Sequence, residues 1–329
     1  MTKLSQTTFI SDHEVAALTD WPAAVAALSR AYAHEGQANS VPPRSIATTD
    51  TGWLRTMTAA PGAGRLIGTK IISASTAAGA ASYLIALFDR KTSELVALVD
   101  GNRVTGIRTA ATSAVAVDSL TPDRPLRAAF IGSGFEARSH FAAIASVRGI
   151  SSATVFSPTP ANRAAFASEL GERHNIVITP AESAWEAIVG ADVIVCAARS
   201  RDESPTLLGE WLEPGTTIVS IGSTVPSQRE VDPEVIRRAA VIVADEPDEV
   251  AGDTGDMIAA AEAGVDFRDK LISLSHCLRQ GTDGSAGISL YKSTGSALQD
   301  IVMAELLYEQ AIATGRGSAL PVGVTINKK

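Results

Sequence analysis

The chain is poor in cysteine: its 329 residues include two, Cys196 and Cys277. Two thiols cannot build a disulfide framework. Cys196 stands inside the apolar run DVIVCAA, so the reading is a buried, inert thiol in a protein of the reducing cytoplasm. Histidine is scarce as well. His13, His34, His140, His174 and His276 are scattered without metal-ligand spacing, and no metal is expected. Positive charge is in short supply, with 28 Lys and Arg against 36 Asp and Glu and no basic run, which argues against nucleic acid as a partner. Long hydrophobic runs are missing too. The longest, AGAASYLIALF (78–88), is too short to span a bilayer, and the N-terminus MTKLSQTTFISDHEV lacks the apolar core of a signal peptide, so no membrane association is expected. What remains is 45% hydrophobic and 19% charged residues, an ordinary globular composition at a length that suits about two domains.

Local patterning divides the chain. Ser11 and Glu14 stand at capping-box spacing, and WPAAVAALSRAYAHEG reads as a second helix with Val25, Leu28 and Tyr32 on one face. GWLRTMTA, LIGTKIISAS, SYLIALFD and ELVALVDG then read as four strands of a largely antiparallel sheet, followed by a helix in TGIRTAATSAVAVDSL with Thr105 as its N-cap. TPDRP (121–125) marks a boundary. Beyond it strands and helices alternate: LRAAFIG, SATVFS, NIVIT, ADVIVCAA, TTIVSIG and AAVIVAD give six short strands with crossovers. That is the pattern of an α/β doubly wound parallel sheet. A last long helix lies in GSALQDIVMAELLYEQAIATG, and the acidic run DEPDEVAGDTGD (245–256) reads as a solvated loop.

The first strand after the boundary ends in GSGFEA, where Gly132, Gly134 and Ala137 fit G-x-G-x-x-A and Phe135 and Glu136 open the following helix. The first glycine permits a tight turn, the second lets a pyrophosphate approach the backbone, and the small third residue packs helix on strand. The helix start offers unpaired N–H groups and the positive end of its dipole to phosphate. Dinucleotide-binding sheets that take NAD carry an acid at the end of the next strand. Here that place reads FSPTPANR, without a carboxylate. Ser157, Thr159 and Arg163 are candidates for a 2′-phosphate, which favours NADP while leaving NAD possible. Arg163 reads equally as a solvated helix residue.

The first half holds few charges among its strands, so three cations stand out: Arg44 in SVPPR, Lys70 in LIGTKIIS and Arg108 in TGIRTAATSA. Each taken singly reads as a snorkelling surface residue. Together, with no carboxylate near them in sequence and Arg108 placed in the first turn of a helix, they suggest a pocket for a carboxylate substrate. Asp300, in LQDIV, reads either as a residue approaching that site or as a helix-surface or capping residue.

The ordered set VPPR, LIGTK, DGNRVTGIRTAATSA, FIGSGFEARSH, GEWLEPGTTIVSIGS, REVD and GISLYKSTGSALQD resembles the ornithine cyclodeaminase/mu-crystallin family over about residues 40–310. The resemblance implies a Rossmann-type parallel sheet, 121–304, inserted into an N-terminal α+β domain, 1–120 with about 305–329, that binds substrate and pairs two subunits into a homodimer. It implies that Arg44, Lys70 and Arg108 are the carboxylate-binding and catalytic residues, that Thr109 and Gly222 lie near the cofactor, and that Ser293 approaches the nicotinamide end. Members pass a hydride between nicotinamide and a carbon that bears nitrogen next to a carboxylate. Some are cyclodeaminases, some reduce ketimines or cyclic imines, some are amino-acid dehydrogenases, and mu-crystallin also binds a small ligand without turning it over. Where ornithine cyclodeaminases carry an Asp, this chain has Thr224, a substrate-binding position without a carboxylate; Ala198 replaces a frequent Thr. The resemblance therefore implies an NAD(P)H-dependent reductase of an imine next to a carboxylate, or the reverse oxidation, ahead of cyclodeamination of a diamino acid and of ligand binding alone.

Overall fold

The computed structural model of the protein describes residues 7–34, 39–282, 286–320 and 324–326. Strand β1 (Thr8–Ile10) leads into α1 (Asp12–Leu18), whose start follows from its sequence: the Ser11 hydroxyl accepts from the Glu14 N–H while the Glu14 carboxylate accepts from the Ser11 N–H. Asp20 caps α2 (Trp21–Ala33), and Val25, Leu28 and Tyr32 are buried on one face. Two residues expected in this helix, Glu35 and Gly36, lie outside the described residues. The period then drops to two in β2 (Ser45–Thr49), β3 (Gly52–Ala59), β4 (Leu66–Ser75), β5 (Ala80–Asp89) and β6 (Leu95–Asp100). Helix α3 (Gly101–Leu120) follows, beginning at Gly101, so Thr105 is not its N-cap and Arg108 lies in its second turn, not its first. The helix-dipole part of the argument for an anion at Arg108 therefore falls away.

From there β and α alternate: β7 (Leu126–Ile131), α4 (Phe135–Ala145), β8 (Ile150–Phe156), α5 (Pro160–His174), β9 (Ile178–Pro180), α6 (Ala184–Ile188), β10 (Val193–Cys196), β11 (Thr217–Ser220), α7 (Pro233–Arg238) and β12 (Ala239–Ala244). The acidic run expected as a solvated loop instead supplies α8 (Pro247–Asp253) and the start of α9 (Gly255–Glu262), with Asp245 and Asp256 buried. Pro247 at a helix start and backbone N–H groups waiting for carboxylates explain the difference. After β13 (Leu271–Ser273), α10 (Leu274–Gln280) and β14 (Ile288–Lys292) come α11 (Ala297–Thr314) and β15 (Ser318–Ala319).

The chain forms two compact units, Met1–Arg108 with Ser296–Lys329, and Thr109–Gly295. The first unit is built on a seven-stranded sheet of order β15-β1-β6-β5-β4-β3-β2, antiparallel except between β1 and β6. Helix α11 packs on α2 and across β3, β4 and β5. The edge strand β2 is exposed at all five positions. The second unit holds an eight-stranded, wholly parallel sheet of order β13-β12-β14-β11-β10-β7-β8-β9. Of these eight, β13 and β14 were not among the six expected; β14, late in sequence, inserts between β11 and β12. Strand order reverses between β7 and β10, and the carboxyl ends at such a reversal are where α/β sheets bind ligands.

TPDRP lies between α3 and β7 inside the second unit, tied down by Arg124, which with Arg127 grips the Asp192 carboxylate. Behind β7 the rings of Phe130, Phe141 and Phe166 meet with centroids 5.5, 5.5 and 6.1 Å apart, all fully buried. Phe166→Ala removes the α5 member of this trio and should cost about 3–5 kcal/mol of unfolding free energy in urea melts; a loss under about 1 kcal/mol would mean that the rings do not anchor α5 to the sheet.

Candidate active site

The glycine turn after β7 has the features of a phosphate cradle. Gly132 has φ 115°, and a Cβ there would meet the Ala197 carbonyl oxygen at 2.7 Å, so both conformation and space demand glycine. Gly134 differs. Its φ of −79° suits any residue, it caps α4 without a side-chain hydrogen bond, and a Cβ there would meet nothing within 4 Å. Open space above an uncapped helix start of 11 residues is what a pyrophosphate needs. Ala137 is fully buried under the turn, while Phe135 is exposed and Glu136 half-buried. His140, fully buried in the same helix, is pushed down to about 4 by burial. Its neutral ring donates from Nδ1 to the Glu136 carbonyl and accepts at Nε2 from Ser113 Oγ, a structural role.

The end of β8 is carboxylate-free, as expected. Ser133 Oγ and Ser157 Oγ lie 2.9 Å apart, Ser157 is buried, and Thr159 is exposed at the N-cap of α5. Arg163 is not a solvated helix residue. It is buried, donates to the Ser157 carbonyl at 3.1 Å and pairs with Glu182.

Two further cofactor candidates also have structural occupations. Gly222 packs against Glu230, whose Oε1 would lie 2.5 Å from a Cβ at 222 and whose Oε2 accepts from the Gly222 N–H. Ser293 donates to Asp245 Oδ2 at 2.6 Å, while the same carboxylate collects the Thr294 and Gly295 N–H groups. Thr224 is hydrogen-bonded through N–H and hydroxyl to Gln228 Oε1, with no carboxylate in the arrangement.

In the first unit, β4, α3 and α11 bring two of the three cations together. Lys70 is 1% exposed, and its Nζ donates to Asp300 Oδ1 at 3.0 Å and to Thr105 Oγ1 at 2.8 Å. Arg108 reaches the same Asp300 oxygen through Nε at 3.2 Å and the Gln299 side-chain carbonyl at 2.7 Å. Gln299 in turn donates to the Tyr32 hydroxyl at 2.8 Å. The absence of a nearby carboxylate, part of the case for a substrate pocket, is thus corrected: Asp300, fully buried, is that carboxylate, 230 residues from Lys70 in sequence. Burial lowers Lys70 to about 8, against the opposing pull of Asp300 and with help from Arg108 and Arg55. Arg44, just before β2, is half-buried. An ammonium held at this acidity can give up and regain a proton near neutrality, and the Arg108 fork suits a carboxylate.

Comparison with known proteins places the chain among relatives of one family. A model of the ornithine cyclodeaminase/mu-crystallin family matches residues 5–315. The ketimine reductase mu-crystallin of Mus musculus is 29% identical over 267 residues, 78% of this chain and 80% of that protein. The structure of Thermococcus litoralis Delta(1)-pyrroline-2-carboxylate reductase with NADH and L-proline superposes with a TM-score of 0.85 at 28% identity, covering 95% of this chain and 100% of that one. An archaeal alanine dehydrogenase dimer with bound NAD gives 0.85 at 25% identity, covering 96% and 99%.

The two glycines of the cradle should respond differently to substitution. Gly134→Val, placed in open space, should leave the melting temperature near that of wild type while weakening dinucleotide binding at least about tenfold, some 1.4 kcal/mol, by titration of reduced-nicotinamide fluorescence. Gly132→Ala should lower the melting temperature. Unchanged binding in a folded Gly134→Val protein would remove the cradle from the site.

Proposed function

The chain belongs to the ornithine cyclodeaminase/mu-crystallin family, and from that premise we propose that it is a nicotinamide-dependent oxidoreductase that reduces an imine next to a carboxylate, a ketimine or a cyclic imino acid, and oxidises the amino acid in reverse. The observation that carries the reading is the buried Lys70–Asp300–Arg108 cluster, which sets a titratable ammonium beside a guanidinium. Arg108, with Arg44, grips the substrate carboxylate. Lys70 adds a further contact and gives the proton that the imine nitrogen takes up. When bound, the cofactor supplies the hydride; Gly132, Gly134, Phe135, Glu136 and Ala137 hold its pyrophosphate, with Thr109, Gly222 and Ser293 along its nicotinamide half. Addition of one hydride to carbon and one proton to nitrogen completes the amine, which is the balance the reaction needs.

Thr224 favours this over cyclodeamination. An ornithine-like substrate brings a second ammonium, and Thr224 and Gln228 offer it no carboxylate. We also propose that two copies pair through the first unit, where β2 is an exposed edge, and that the protein works in the cytoplasm, where the free Cys196 and Cys277 stay reduced.

Oxidation of NADPH or NADH on addition of Delta(1)-pyrroline-2-carboxylate or another cyclic imino acid is the primary test, with ornithine giving no proline. Reduction needs the Lys70 ammonium, whose value is lowered to about 8, so the rate should hold below pH 8 and fall above it. Lys70→Ala should lose roughly tenfold to a hundredfold or more, the equivalent of a charge-assisted hydrogen bond of about 1.5–3 kcal/mol. A folded Lys70→Ala protein with near wild-type turnover would take Lys70 out of the reaction.

The cofactor is proposed to be NADP. The carboxylate-free end of β8 leaves the Ser157 and Thr159 hydroxyls to face a 2′-phosphate, with Arg163 bracing the Ser157 carbonyl. NADPH should bind more tightly than NADH, and Arg163→Ala should narrow the difference. Equal affinities in the wild type would sink the preference.

A further inference from the structure

The cluster holds one group to which the proposed chemistry assigns no part. Asp300 lies in the first turn of α11, where the helix dipole favours negative charge and the Ser296 hydroxyl caps the Leu298 N–H. One of its oxygens, Oδ1, is shared by Lys70 and Arg108; the other, Oδ2, is buried with no hydrogen-bond partner among the described residues. A buried carboxylate oxygen left unpaired is costly, and an arrangement that uses a single oxygen for two cations leaves their remaining donors to others. Thr105 takes one from Lys70, and Gln299, itself fixed by Tyr32, takes one from Arg108.

We propose that Asp300 is a positioning residue for the imine reduction, fixing Lys70 Nζ and Arg108 Nε to a single oxygen and leaving the trio one net positive charge for the substrate's carboxylate. The inference rests on the reading of Lys70 as proton donor. Its consequence is directional. Groups facing the Lys70 ammonium are Asp300 from α11, Arg108 and Thr105 from α3, Arg55 from β3 and the Tyr83 ring from β5, centred 5.5 Å from Nζ. Burial, Arg108 and Arg55 all drive the proton off Lys70, and among these groups Asp300 supplies the one opposing charge. It therefore keeps the lysine charged at neutral pH while its position keeps Arg108 aimed. Gln299 shares the second task but not the first, because an amide carries no charge.

The test compares the full-length protein with Asp300→Asn, Asp300→Glu and Gln299→Ala, each read by pH profiles of kcat and kcat/KM for imine reduction and by calorimetric binding of L-proline. Asp300→Asn should move the basic limb down by about one pH unit or more, since a charge partner at this range shifts its neighbour by about 1–3. It should also lower kcat at neutrality. Asp300→Glu keeps the charge but not the reach, so the limb should stay near that of wild type while kcat falls. Gln299→Ala should raise KM and weaken L-proline binding without moving the limb. An Asp300→Asn protein that is slower with an unmoved limb, or an Asp300→Glu protein with wild-type kcat, overturns the proposal; if Asp300→Asn does not fold, the Asp300→Glu result decides. Lys70→Ala separates the two readings. If it keeps activity and the basic limb, the limb belongs to another group and the assignment of Lys70 fails. If it loses activity while Asp300→Asn behaves as wild type, Lys70 stands and Asp300 is relieved of its role.

Discussion

A cation is buried only at the side of something that neutralises it, and in the first unit one oxygen of Asp300 does so for two. Much else in that unit answers to this requirement. Lys70 projects from the middle of β4, where its strand neighbours pair with β3 and β5, so the ammonium cannot retreat to water without breaking the ladder. The carboxylate has to come from outside the sheet, and α11 brings it by packing across β3, β4 and β5. The last helix is thus bound to the first sheet by charge as well as by apolar burial, although the whole parallel sheet lies between them in sequence.

The second unit meets the same constraint with different parts. Lys292, at the end of β14, is fully buried; its Nζ lies 2.8 Å from Asp256 Oδ2 and donates to Ser220 Oγ at 2.9 Å. Ser220 donates to Glu230 Oε2, and Asp256 Oδ1 receives the N–H groups of Glu230 and Val231. Burial raises Glu230 to about 7, with the Lys292 charge pulling the other way. Lys292 pairs in register with Ser220 of β11 and Ala244 of β12, and its ammonium ties the end of β14 to β11 and α9. Gly222 leaves room for the Glu230 carboxyl.

Legibility from sequence followed the range of the interaction. The glycine turn could be read because Gly132 and Gly134 answer to backbone conformation and to the space around a helix start, which are local. The capping box of α1 could be read for the same reason. Strands β3 to β6 announced themselves by alternation, whereas β1, β2 and β15 are too short or too polar to do so. Asp300 could not be assigned, because nothing near position 300 reveals that it meets a lysine 230 residues away. The run 245–256 was misleading for a related reason: acidic composition reads as solvation, yet Asp245 and Asp256 are buried acceptors for backbone N–H groups supplied by distant segments. The lack of a local carboxylate near Lys70 was a true statement about sequence and a false one about space.

The side chains that motif suggests for the cofactor are largely engaged in holding the protein itself. Ser293 serves Asp245, Gly222 makes room for Glu230, and Arg163 is shared between Glu182 and a carbonyl. The start of α4 at Gly134, by contrast, offers backbone N–H groups with no side-chain cap. Backbone donors recognise charge and geometry but do not discriminate among the carbon skeletons of substrates. In the first unit Lys70, Arg108, Gln299 and Asp300 are joined by side-chain hydrogen bonds, so that altering one changes the charge or the aim of the rest.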